Sequence, residues 1–265
     1  MTNLTESELA RCLAVGIEAA KKAGAYSKSK WGTHLNIEYK GEINLVTEVD
    51  KTSEKMIVET LRAAFPDHDI LGEEGMGERK DSPFKWVIDP LDGTTNFAHG
   101  YPLYCVSIAL EHGGDIVVGV VYDPLRDEMF SALKGGGAFL NDRPIRISPA
   151  ENVIKSLIAT GFSYNFKQAA DVTFEYFCNV ILRAQGIRRD GVAAIDLCYV
   201  ACGRYDGFFE LNLFPWDMAA GLLLVLEAGG SVTRFDGSPF TIYDKEILAT
   251  NGAIHGEMGS ILTQR

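Results

Sequence analysis

The run from Trp86 to Phe97, Trp-Val-Ile-Asp-Pro-Leu-Asp-Gly-Thr-Thr-Asn-Phe, restricts this chain more than any other stretch. Trp86, Val87 and Ile88 suit a buried strand, and Pro90, which has no N–H to give a ladder, stops it at Asp89. The chain then turns through Leu91, Asp92 and Gly93. Asp89 and Asp92, three positions apart across a turn, aim both carboxylates at one point, with the Leu91 carbonyl between them as a third hard oxygen. Such a donor set suits Mg²⁺, Mn²⁺ or Ca²⁺. Thr94 to Phe97 reads as a short helical start, whose free N–H groups face an anion held by the same metal. An ordinary Asx-turn explains either aspartate alone. Two aspartates, a strand end and a threonine pair in one run favour the metal site.

This run resembles, over its whole length, the main signature of the inositol monophosphatase family of Mg²⁺-dependent, lithium-sensitive phosphatases: Asp-Pro-Ile/Leu-Asp-Gly-Thr-Thr-Asn-Phe. Two further pieces carry the resemblance. Leu45-Val46-Thr47 followed by Asp50 precedes Gly72-Glu73-Glu74, and Trp216-Asp217-Met218-Ala219-Ala220-Gly221 matches the second signature. By themselves Asp50 and Asp217 read as helix caps or first-turn acids, and adjacent Glu73 and Glu74 repel unless a cation or solvent separates them.

The resemblance implies two or three Mg²⁺ per site, with Mn²⁺ a possible substitute. Its metal ligands would be Glu73, Asp89, the Leu91 carbonyl, Asp92 and Asp217, with Asp50 at a third-metal and water-activation site. Glu73, Thr94, Asp50 and Asp92 would act in catalysis. The substrate would meet Asp92, Gly93, Thr94, Thr95, Asp217, Glu210 and the loop Gly191-Val192-Ala193. That loop usually reads Gly-Ser/Thr-Ala-Ala in the family; Val192 here replaces the hydroxyl residue and removes one polar contact. Ser163 is a further neighbour. The implied reaction is hydrolysis of a phosphate monoester of a polyol by metal-activated water, with inositol 1-phosphate first. Fructose-1,6-bisphosphate is the nearest rival, and a metal-binding regulatory protein touching the transcription machinery is an alternative of another class. The family further implies a homodimer and lithium sensitivity.

Along the chain, Thr5 and Glu8 form a capping box for a long amphipathic helix from Leu4 to about Trp31. A strand, Leu35 to Tyr39, leads to a charged loop, Lys40 to Asn44, and Thr47 caps a helix reaching Phe65 before Pro66. A short strand follows from His68. After the central motif, strands beginning at Cys105, Ile116 and Glu128 form an antiparallel meander, and Gly135-Gly136-Gly137 is a hairpin turn, since no Gly-Lys-Ser/Thr follows. The second half alternates: strand 157–160, helix 169–184, strand 187–189, helix 192–202, strand 208–211, helix 216–228, two short strands and a terminal helix. The pattern predicts an α/β (α+β layered) protein with helices outside two packed sheets and ligands at strand ends where connections diverge. The resemblance implies an α-β-α-β-α sandwich of the sugar-phosphatase type.

A chain of 265 residues is long for one domain and short for two large ones, so one domain, or lobes 1–151 and 152–265 sharing a cleft, is expected. A net charge of -11 argues against a nucleic-acid surface, but a divalent cation in an acidic pocket still allows an anionic substrate. No apolar run reaches the ~18 residues of a membrane span. The first residues lack a secretory pattern, and five scattered cysteines suit reduced thiols in a cytoplasm.

Overall fold

The computed structural model describes residues 5–34, 37–39, 45–77, 79–163, 167 and 170–264. The loop Lys40 to Asn44 and the start of the predicted strand at Leu35 lie outside the described residues.

Helix α1 spans Glu6–Lys30 behind the reciprocal capping box of Thr5 and Glu8. β1 (Ile37–Tyr39) pairs antiparallel with β2 (Leu45–Thr47), and α2 (Glu48–Ala64) starts from a second capping box, Thr47 with Asp50. Then come β3 (Asp69–Gly72), β4 (Phe84–Asp92), the short helix α3 (Thr94–Ala98), and the meander β5 (Cys105–His112), β6 (Asp115–Asp123), β7 (Glu128–Leu133), β8 (Gly137–Leu140) and β9 (Arg143–Pro144). The second half gives β10 (Leu157–Thr160), α4 (Ala170–Ile181), β11 (Gly186–Arg188), α5 (Ala193–Ala201), β12 (Gly207–Leu211), α6 (Pro215–Glu227), β13 (Ser231–Thr233), β14 (Glu246–Thr250) and α7 (His255–Thr263).

One sheet has the order β3-β4-β5-β6-β7-β8-β9 and the other β11-β10-β12-β14-β13. Helices α1 and α2 cover one face of the larger sheet, where Trp86, Ile88, Ile108 and Val120 meet Ala20, Ile57 and Leu61. The opposite face, with Val87, Ala109 and Val121, packs on α5 and α6, which also touch Ala159, Phe208 and Ala249 of the smaller sheet. Its outer face carries α4 and α7. The molecule is thus an α-β-α-β-α sandwich. The expectation that helices flank two directly packed sheets needs correction, because α5 and α6 lie between them. Their composition explains it: all nine residues of α5 are buried, and α6 buries Met218, Ala219, Ala220, Gly221, Leu223, Leu224 and Val225. A helix apolar all round belongs inside.

A second correction concerns β4, which continues through Pro90 to Asp92. Asp89 pairs with Ser107 and Asp92 with Cys105, so β4 carries one extra residue between them, a bulge. Within a bulge proline forfeits no ladder bond, and the local bend re-aims neighbouring side chains.

Gly119 of β6 lets α6 lie close against the sheet: a Cβ there would stand 2.8 Å from the Ala220 carbonyl oxygen and 3.3 Å from its Cα. Because the obstacle is backbone, we expect Gly119→Val to destabilise the protein by about 1–3 kcal/mol. Urea unfolding midpoints for the two proteins check this. No helix among the described residues is long and apolar enough to cross a membrane.

Candidate active site

The end of β4, the first turns of α3, α5 and α6, and the ends of β10 and β12 surround one cavity of about 440 Å³, in the size range of small-ligand sites. Glu73, Asp92, Gly93, Thr95, Gly161, Ser163, Gly191, Ala193, Glu210 and Asp217 line it. Connections diverge here, as expected for ligand sites in layered α/β sheets.

Local structure places each acid. Asp89 is 2% exposed, and its Oδ1 accepts the Leu91 N–H at 2.9 Å, the bond of an Asx-turn within the bulge. Asp92 Oδ2 accepts the Ala194 N–H from the first turn of α5 at 2.8 Å, linking the end of β4 to α5. Asp217 sits in the first turn of α6 and accepts the Phe214 N–H at 2.8 Å. Asp50 accepts the N–H and hydroxyl of Thr47 at 2.8 and 2.5 Å, and the Thr94 hydroxyl lies 3.0 Å from its other oxygen and 3.1 Å from the Leu91 carbonyl. The Asx-turn of Asp89, the capping box of Asp50 and the first-turn place of Asp217 read from sequence are therefore present, beside the convergence on one cavity. Asp50, Asp89, Leu91 and Thr94 form the buried tier beneath it rather than its lining.

These carboxyls sit in each other's field. Burial raises Asp89 most, followed by the charges of Glu73, Asp92 and Asp217; burial and then Asp217 raise Asp92. Burial pushes Asp217 up to about 7, against the lowering effect of the Phe214 N–H and Lys245. Burial likewise lifts Asp50 to about 6. Glu210, also raised by burial and by Asp217, lies across the cavity with Arg189 opposing the shift. Buried like charges without a countercharge cost free energy that a divalent cation would relieve. Among the described residues no group of three or more acidic, histidine or cysteine side chains closes up tightly enough to hold an ion unaided. An ion that takes a few carboxylates and completes its shell with water and substrate oxygens fits this arrangement.

Gly93, at φ 95°, begins α3, and its neighbour Val192 is completely buried in the core rather than turned into the cavity. The loop Gly191-Val192-Ala193 thus meets the cavity through Gly191 and Ala193, with the Val192 side chain in the core. Glu210 also needs glycine opposite it, since a Cβ at Gly161 would run into its carboxylate.

Several contributors escaped sequence reasoning. Glu54 is fully buried on α2 and accepts the Glu74 and Met76 N–H groups at 2.7 Å each, fixing the turn that carries Glu73. The available signal was a carboxylate on the helix face otherwise made by Ile57, Val58 and Leu61. The cavity wall also includes Phe162, Arg189, Asn212, Leu213, Phe214 and Trp216, with Phe214 and Trp216 stacked at 5.0 Å.

Residues 8–264 match the inositol monophosphatase family. The chain is 48% identical over 258 residues to an inositol-1-monophosphatase of Synechocystis, covering 97% of this chain and 90% of that protein. It is 42% identical over 242 residues to the Nus factor SuhB of Vibrio cholerae, covering 90% and 91% respectively. The solved structure of an inositol monophosphatase from Anabaena (Nostoc) superposes with a TM-score of 0.89 at 44% identity, covering 97% of this chain and 96% of that one.

Proposed function

The chain belongs to the inositol monophosphatase family and is a phosphatase, and we propose that it hydrolyses a phosphate monoester of a polyol, inositol 1-phosphate first, with Mg²⁺ and without a covalent phosphoenzyme. The observation that carries this reading is the meeting of Glu73, Asp92 and Asp217 in one cavity, above buried Asp89 and across from Glu210.

In this reading Glu73, Asp89 and the Leu91 carbonyl would hold one ion, and Asp89, Asp92 and Asp217 would hold a second; Asp50 would belong to a third site. Mn²⁺ is a possible substitute. Bound ions supply the positive charge that attracts phosphate and lowers the pKa of water. The chain's own groups do the rest. Glu73 and Thr94 orient the attacking water, with Asp50 fixing the Thr94 hydroxyl. The N–H groups at the start of α3, with Gly93 and Thr95 on the cavity wall, face the phosphate. Asp92 holds the water that protonates the leaving oxygen. Glu210 accepts a hydroxyl of the polyol while Gly191 and Ala193 let it approach backbone. Cysteine nucleophilicity is disfavoured at Cys105, beside Asp92 in the ladder, because burial raises its thiol well above the ordinary range.

The test is phosphate release from inositol 1-phosphate and fructose-1,6-bisphosphate side by side, with Mg²⁺, with chelator, and with added Li⁺. We expect release in Mg²⁺, its loss in chelator, inhibition by Li⁺, and preference for inositol 1-phosphate. A preference for the bisphosphate would move the chain to the rival substrate. No release in Mg²⁺ or Mn²⁺ would favour a regulatory role, which similarity to the Nus factor SuhB proteins supports. We also infer a cytoplasmic homodimer, for which exposed Val172, Phe174, Ile181 and Leu182 on and beside α4 offer apolar surface.

A further inference from the structure

Glu54 is a fully buried acid that the proposed chemistry does not use, and α2, which carries it, gives no residue to the cavity wall. Its two oxygens serve separate backbone donors: Oε2 accepts the Glu74 N–H and Oε1 the Met76 N–H, each at 2.7 Å. Both donors belong to the turn that begins at Glu73. That turn passes through Gly75, at φ 85°, and folds back on β3 so closely that a Cβ at Gly77 would stand 2.7 Å from the Ile70 carbonyl oxygen. From the other side the Glu73 N–H reaches the Ile88 carbonyl, next to Asp89, at 3.2 Å. Glu73 is therefore held between β4 and α2, and Glu54 is the grip that α2 has on it.

Gly72 shows how little room this grip leaves. A Cβ there would stand 2.7 Å from Glu54 Oε1 and 2.8 Å from Oε2. One turn earlier on α2, Asp50 faces the other half of the site: the Thr94 hydroxyl lies 3.0 Å from Asp50 and 3.1 Å from the Leu91 carbonyl. Residues four apart on a helix stand one above the other, so Asp50 and Glu54 share one face of α2. That single face reaches both the turn carrying Glu73 and the bulge carrying Leu91.

We propose that Glu54 is a positioning residue for metal binding: through the turn 73–76 it holds Glu73 at a set distance from Asp89 and the Leu91 carbonyl, so that these donors stand ready as a set. Glu54 touches neither ion nor substrate in this account. The role rests on the metal site of the phosphatase reading above, but not on which ester is hydrolysed.

The experiment compares wild type, Glu54→Gln, Gly72→Ala and Asp69→Ala by Mn²⁺ binding, read from the paramagnetic resonance signal of the free ion, by thermal unfolding in chelator, and by phosphate release over a range of Mg²⁺. Glutamine keeps one acceptor oxygen and turns an NH₂ group toward the other N–H, so one of the two bonds is lost. Partners that orient a metal ligand are typically worth 10–100-fold in affinity, and one Mn²⁺ site should weaken by about that factor in Glu54→Gln. Raising Mg²⁺ should restore most of the lost turnover, because Glu54 is none of the reacting groups. Gly72 lies in extended β3, so its new Cβ presses on the Glu54 carboxylate rather than straining the backbone, and Gly72→Ala should weaken the same site. Asp69 is the comparison: it is 6% exposed and its Oδ1 accepts the Lys80 and Ser82 N–H groups at 2.6 and 3.3 Å, a clasp of the same kind on a segment with no proposed ligand. Asp69→Ala should lower the unfolding temperature and keep Mn²⁺ affinity within about twofold. Unchanged Mn²⁺ affinity in Glu54→Gln, or an equal weakening in Asp69→Ala, overturns the proposal. If Glu54→Gln does not fold, Gly72→Ala set against Asp69→Ala decides it in the same way. If wild type binds Mn²⁺ but releases no phosphate, the phosphatase reading fails while the binding comparison still judges Glu54; if wild type binds no Mn²⁺, both fall.

Discussion

Asp92→Asn should abolish turnover and leave the protein folded. The variant keeps a side-chain oxygen able to accept the Ala194 N–H, which is 2.8 Å from the carboxylate in the native chain, so the link between β4 and α5 survives. What disappears is a negative charge buried with Glu73 and Asp217, both of which raise the Asp92 carboxyl. On the proposed reading, without that charge the second ion would lose a ligand and the leaving oxygen the group holding its proton source. We expect kcat to fall by about 10³-fold or more. Removing one member of a repelling set does not weaken the metal-free fold, so the unfolding temperature in chelator should equal or exceed that of wild type. Added Mg²⁺ should stabilise wild type more than the variant, because a ligand raises stability in proportion to its affinity for the native state. Near-normal phosphate release by Asp92→Asn rules out this site.

Such a residue was legible in the sequence because its signal is local. Asp89, Leu91, Asp92 and Gly93 lie within five positions, and the capping boxes of Thr5 with Glu8 and Thr47 with Asp50 depend only on neighbours three residues apart. The helices and the meander are likewise written in short-range periodicity and turn chemistry. What stayed hidden depends on distant partners. Pro90 looks like a strand terminator until Ser107 and Cys105 are seen to pair on either side of the bulge. The positions of α5 and α6 between two sheets follow from which faces are covered, and a uniformly apolar helix does not say by what. Glu54 reads as one more charge on a helix until the turn 73–76 folds over it. Val192 has the sequence position of a substrate contact, yet its side chain fills the core.

Gly93→Ala should cost both stability and activity, in contrast to Asp92→Asn, and Val192 explains part of the loss. Gly93 has φ 95°, in the left-handed region, where any Cβ is strained by roughly 1–2 kcal/mol. A Cβ there would also stand 2.8 Å from Val192 Cγ2 and 3.2 Å from the Leu103 carbonyl oxygen. Strain and overpacking together should destabilise on the order of 2–4 kcal/mol. Relief would shift α3, whose first N–H groups face the proposed phosphate position, so turnover should fall by about 100-fold. Val192→Ala alone leaves a small core void and costs about 1–2 kcal/mol. In the double variant the alanine at 192 makes room for the new Cβ, so its destabilisation should be smaller than the sum of the single losses by about 0.5–3 kcal/mol. The conformational strain at 93 is untouched by this exchange and should persist. Urea unfolding of the four proteins measures the coupling: strict additivity would mean that Val192 does not press on Gly93, while full recovery would mean that contact alone, and not the left-handed backbone, makes glycine necessary there.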